Sequence, residues 1–151
     1  MPRQNALTVE LLEKLEAANQ RDDILAARQT LRDLGALGAA TPEHTARLQM
    51  IEQELLESRF LVSQRFDEAK SLFDARHWEK LRRLLNRNPA LGNSTERVIR
   101  VWEMGLIADG ELGWKDSDTL IAEADRLAEK APKSFWPPYV KMRVAMSQGR
   151  Y

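Results

Sequence analysis

The sequence predicts an all-α fold, a row of helical hairpins organised on one long central helix. Apolar residues return at three- and four-residue steps through every long segment, and recognisable starts and stops bound those segments. No stretch shows the two-residue alternation of a half-buried strand.

The central helix is placed at 42–75. Thr41 is suited to cap it, Pro42 sits where a first-turn proline loses no hydrogen bond, and Glu43 favours the positive helix end. Leu48, Ile51, Leu55, Val62, Phe66, Ala69 and Phe73 then form a seam with neither Gly nor Pro inside it. The seam lapses only at Ser58 and Arg59. Phe60, Leu61 and Val62 follow in succession, which predicts cover on more than one side of the helix middle.

Before it, a hairpin is expected over 5–40. Leu7, Leu11, Leu15 and Ala18, with Leu12 beside them, make one stripe; Ile24, Ala27, Leu31 and Leu34 make a second; Gly35 and Gly38 end it. Both helices are near the ~12–15 residues at which isolated helices become marginal, so they must pack against the first half of the long helix. A three-helix group follows.

After Arg76-His77-Trp78 turns the chain, a short helix over 79–87 points Leu81, Leu84 and Leu85 inward, and Asn88-Pro89 stops it. Asn93 with Glu96 resembles a capping box, with Ser94 and Thr95 as alternative caps, for a helix over 94–112. Gly105 inside that helix costs about 1 kcal/mol against Ala, which predicts the close approach of a neighbouring helix there. Gly113-Trp114 turns the chain, Asp116 or Ser117 caps a helix carrying Leu120, Ala124 and Leu127, and Pro132 lies past its end. Pro137-Pro138 opens a last helix with Tyr139, Val140 and Val144.

A chain of 151 residues and 17.3 kDa is sized for one domain, 1–151, or a short stack of helical units. Its 23 basic and 23 acidic residues cancel, so no whole-molecule field draws it to nucleic acid or an anionic membrane. No apolar run approaches the roughly 20 residues of a membrane span, and the N-terminus lacks the apolar block of a secretory signal. A cytoplasmic location is expected. Without cysteine, and with His44 and His77 the only histidines, thiol chemistry, histidine triads and multi-histidine metal sites have no residues to build on. His44, in the first turn of a helix, reads as an ordinary surface residue, and His77, beside Trp78 at a turn, as structural. Asp109, Glu111, Asp116 and Asp118 surround a Gly-bearing turn but lack the order of a calcium loop, so capping and solvation account for them. The basic run of Arg76, Lys80, Arg82, Arg83, Arg87, Arg97 and Arg100 reads as a solvated face before it reads as a phosphate-binding stripe.

Three turns place an aromatic where one helix gives way to the next: Trp78, Trp114 and Tyr151, at intervals of 36 (78 to 114) and 37 (114 to 151). Helix-ending Pro89 and Pro132 add to the pattern, as do the small residues Ala69 and Gly105, each nine positions before its turn aromatic. Over roughly 60–151 this resembles a degenerate tetratricopeptide (TPR-like) array, whose repeats are about 34 residues long. The early Pro89 and the extended stretch after Trp114 depart from it. The resemblance implies a right-handed α-solenoid, no reaction and no cofactor, and an inner face that holds a peptide or amphipathic helix of another protein. On this chain that face carries Phe66, Lys70 and Phe73; Ile99, Trp102, Leu106 and Asp109; and Tyr139, Arg143 and Met146. Because the family would continue after Tyr151 with a second helix, the array is expected to extend in a longer protein or to cover its last helix with another subunit. The alternatives are a self-associating assembly subunit, driven by the long helix and N-terminal hairpin, and the docking or regulatory part of a longer multidomain protein.

Overall fold

The computed structural model describes the backbone of residues 2–93 and 97–148 and the side chains of 5–92 and 97–148. Every regular element among them is helical: α1 (Pro2–Gln20), α2 (Ile24–Ala36), α3 (Pro42–Ser58), α4 (Val62–Asp74), α5 (Trp78–Arg87), α6 (Val98–Leu112), α7 (Ser117–Lys130) and α8 (Trp136–Ser147). They pack as two compact units, one of Met1–Val62 with Asn86–Ala90 and the other of Ser63–Leu85 with Leu91–Tyr151.

The first unit is built on the hairpin α1–α2 with α3 against α2. Leu15, Ala18, Ile24, Ala27, Leu31, Leu34 and Ile51 close its core, and Leu11, Leu48 and Leu55 pack against them. Each large apolar side chain sealed this way contributes about 1.5–3 kcal/mol. The turn before α2 is set by Asp23, whose carboxylate accepts from the Ala26 N–H at 3.2 Å. At the entry to α3, Thr41 accepts from the His44 N–H (3.2 Å), and His44 Nδ1 accepts in return from the Thr41 N–H (3.1 Å). His44 thus fills the third-residue role that Glu or Gln takes in a capping box. The side chains of Asn86 and Arg87 join this unit, donating to the Arg21 carbonyl and to Glu54.

The helix expected over 42–75 is two α-helices joined by a 3-10 turn, Arg59–Leu61. The turn falls where the apolar seam lapses. Buried Ser58 donates its hydroxyl to the Leu55 carbonyl at 2.9 Å, competing for the acceptor that sustains an α-helix, while the backbone of Ser58, Arg59 and Val62 stays in the right-handed region. Nor is the helix middle covered on several sides. Phe60 is 90% exposed.

In the second unit, α4 ends at a left-handed residue, Arg76 (φ 58°), where the N–H groups of Arg76 and His77 bond back to the Phe73 and Leu72 carbonyls. On α5, Leu81 and Leu85 are buried as the spacing predicts, while Leu84 is only half-buried. The helix expected from Ser94 begins at Val98, after the 3-10 stretch Pro89–Asn93, and Arg97 gives it no side-chain cap. The expected capping box involves residues 94–96 and the Asn93 side chain, outside the described residues, as is Tyr151. Gly113 takes the left-handed geometry (φ 68°) that ends α6. Asp116 caps α7 through the Thr119 N–H at 2.7 Å, and prolines occupy the first turn of α8. Helices α6, α7 and α8 each contact the other two. Leu106, Ile107, Leu120, Leu127, Val140 and Val144 are buried within this unit.

Candidate functional site

Residues of α4 to α8 in the second unit line an open trough made of two adjoining hollows. One, about 580 Å³, is walled by Phe73, Trp78, Phe135 and Trp136. The other, about 520 Å³, is walled by Leu112, Lys115, Leu120, Val140 and Met146. Ile107, Glu111, Tyr139 and Arg143 border both, so the hollows share one wall.

The rings at the first hollow support one another. Phe73 stands edge-on to Trp78 and to Trp136, each at 5.6 Å between centroids, Trp136 stands edge-on to Tyr139 at 5.8 Å, and Phe135 stacks on Tyr139 at 5.9 Å. Such pairs add about 0.5–1.5 kcal/mol each beyond area burial, so the ring positions are held before any ligand arrives. The Arg100 guanidinium lies 4.7 Å from the Phe73 centroid. Phe135 remains 66% exposed, a large apolar surface turned to solvent. Arg143 reaches Glu111 at 3.5 Å across the shared wall, with half its side chain exposed. That exposure keeps the pair weak, in the range of about 0–1 kcal/mol, and easily exchanged for a ligand's charges.

Lys115, on the wall of the second hollow, belongs to a charged cluster. Asp109, 1% exposed, accepts from Arg82 Nε at 2.8 Å and Nη2 at 2.6 Å, and from Lys115 at 3.0 Å. Lys115 also reaches Glu123 at 2.7 Å. Burial by itself would push the Lys115 ammonium down, but the hydrogen bonds and charges of Glu123 and Asp109 outweigh it and hold Lys115 above the ordinary lysine range. Two cations against two anions satisfy one another, and no buried side-chain polar atom among the described residues is left without a partner. The cluster is structural.

The expected inner-face residues therefore separate. Phe73, Tyr139 and Arg143 come together at the first hollow, and Met146 lines the second. Leu106 and Asp109 are corrected: both are 1% exposed and present nothing to a ligand. The reason is the register of α6, whose Gly105 and Asp109 face Arg82, which leaves Ile107 and Glu111 at the trough. Trp102 and Ile99 are half-buried and border neither hollow. Phe66 is half-buried, its ring covered by Arg97 at 4.9 Å and by Lys70 at 5.8 Å, so these two expected contacts serve each other. Trp78, Phe135, Trp136, Ile107 and Glu111 were missed. The dense run Phe135-Trp136-Pro137-Pro138-Tyr139 at a helix start was the available signal.

The basic run is largely used inside the fold. Besides Arg82 on Asp109, Arg83 pairs with Glu79, Arg87 with Glu54, Arg97 donates to Ser63, and Arg100 approaches Glu103. Three of the four acidic residues around Gly113 are likewise committed: Asp109 to Arg82 and Lys115, Glu111 to Arg143, Asp116 to its cap. Among the described residues no group of three or more His, Asp or Glu is placed to hold a metal ion, and no helix is long and apolar enough to cross a membrane. Compared with protein-family models, with curated proteins and with solved structures, the chain matches none.

Proposed function

We propose that this protein is a non-enzymatic interaction module whose trough holds a peptide or amphipathic helix of another protein, on a TPR-like right-handed stack of α4 to α8. The observation that carries the reading is the pair of adjoining hollows sharing Tyr139, Arg143, Ile107 and Glu111, with an edge-to-face aromatic cluster at one end. Rigid rings rimmed by one acid and one base are the composition of binding hot spots, and a groove of apolar anchors at helical spacing suits an apolar segment. The mutual packing of α6, α7 and α8, with the third helix returning to the first, supports the stack. Selection of displayed peptides on the intact chain tests it. Selected peptides should lose at least about tenfold in affinity for the double variant Tyr139→Ala/Arg143→Glu while its helix content is unchanged. Peptides that bind the variant as well as the native chain would contradict the assignment.

A further inference from the structure

We propose that the outer edge of α3 and the turn that follows it, centred on Leu56 and Phe60, pairs two copies of this chain in a parallel two-fold contact. The patch shares no residue with the trough. Phe60 is 90% and Leu56 53% exposed, Leu56 in the last turn of α3 and Phe60 in the 3-10 turn that follows it. Gln49, Gln53, Leu56 and Phe60 follow one another at steps of four, three and four, the spacing of a two-helix seam, and all four are exposed. Leu48, Ile51 and Leu55 meanwhile face the core of their own unit. The seam therefore lies on the side of α3 that its own unit leaves open.

The flanks decide the occupant. Projected at 100° per residue to Ser58 and about 120° through the 3-10 turn, Arg59 lies on one side of the Leu56–Phe60 edge and Glu57 on the other. On the Arg59 side, Arg28 and Arg32 reach the single acid Glu52 at 3.9 and 2.9 Å, so that flank is net positive. Glu57 accepts a hydrogen bond from Gln53 at 3.0 Å, which orients its carboxylate and leaves its charge in place. Arg59 has no ion-pair partner among the described residues. A surface with one positive and one negative flank is complementary to itself when two copies run parallel about a two-fold axis, because each positive flank then meets a negative one. The antiparallel arrangement sets Arg59 against Arg59 and Glu57 against Glu57. A net charge of zero removes any long-range repulsion between copies. With two apolar residues per copy the contact is small, so dissociation is expected on the order of 100 µM.

Sedimentation equilibrium of the full chain from about 10 µM to about 1 mM is the test. The average mass should climb from 17.3 kDa towards twice that value as concentration rises. Phe60→Ser, at a solvent-facing position that leaves the fold intact, should hold it at the single-chain mass. Arg59→Glu and Glu57→Arg should each weaken association about tenfold, and an equimolar mixture of those two variants should associate more tightly than either alone, because unlike flanks meet again. A native chain that stays at 17.3 kDa throughout, a Phe60→Ser variant that associates like the native chain, or a mixture no tighter than its components would each overturn the proposal.

Discussion

Arg82 holds Asp109 with two parallel hydrogen bonds and at the same time donates from Nη2 to the Gly105 carbonyl at 3.0 Å. The guanidinium lies so close that a Cβ on Gly105 would stand 2.8 Å from Nη2. What stands over the mid-helix glycine is thus an arginine head group reaching from α5, where its position predicts the close approach of a helix.

That relationship predicts a reversal of sign. In the native chain Gly105→Ala should destabilise by about 1 kcal/mol, because the methyl displaces Arg82 from its acceptors. In an Arg82→Ala background the same change should stabilise by about 1 kcal/mol, the ordinary helix preference of Ala over Gly. Urea denaturation of the four-member cycle reads the coupling. Additive effects would show that Arg82 does not occupy the space above Gly105.

Removing the anion from the buried cluster is a harsher change. Asp109→Ala leaves Arg82 and Lys115 facing each other with Glu123 as the remaining acid, and should cost about 3–5 kcal/mol. Loss of less than about 1 kcal/mol in the same denaturation measurement would mean that the ion pairs contribute little to this unit.

The cap at α3 should be reciprocal. Thr41→Ala and His44→Ala each remove one of the two hydrogen bonds, and each should cost about 1 kcal/mol. The double variant should cost less than the sum, since each side chain orients the other. Equal and additive losses would show two independent contacts.

Arg76 sits at φ 58°, a conformation that costs a side-chain-bearing residue about 1–2 kcal/mol and glycine nothing. Glycine's greater chain entropy offsets part of the relief, so Arg76→Gly should stabilise by up to about 1 kcal/mol. Arg76 also borders the first hollow, so the variant gains stability where a ligand contact is lost. A Tm that falls would show that the arginine makes up for its own strain.

Asp116 sets an acid limit on the α7 cap. The Thr119 N–H holds its carboxyl below the usual aspartate range, so its contribution is present above the unfolded pKa and disappears as pH falls through the lower folded value. Native stability should drop more steeply than that of Asp116→Asn below about pH 4, and the two should run parallel at neutral pH. Parallel curves throughout would remove Asp116 from the pH dependence.

The helices were largely legible because their signals are local. Thr41-Pro42, Asp116, Gly113 and Pro137-Pro138 fix starts and stops by backbone chemistry within one turn, and the three-helix group followed from stripes that have nowhere else to go. What was lost depended on single hydrogen bonds and on register. Ser58 carried no sign that its hydroxyl would take the Leu55 carbonyl and tighten the helix after it. The face of α6 turned to the trough could not be read from spacing, because Leu106 and Ile107 are adjacent and equally apolar; Arg82, 23 residues before Gly105, decides between them. Histidine as a capping-box partner was invisible because Glu and Gln usually fill that place.

The most direct test of the trough as a binding surface is backbone amide shift mapping of the intact chain with the tightest displayed peptide. The largest changes are expected at Trp136, Tyr139, Arg143, Ile107 and Glu111, with little change along α1 and α2. Changes concentrated on α1 and α2, or on the outward surface of α5, would contradict it.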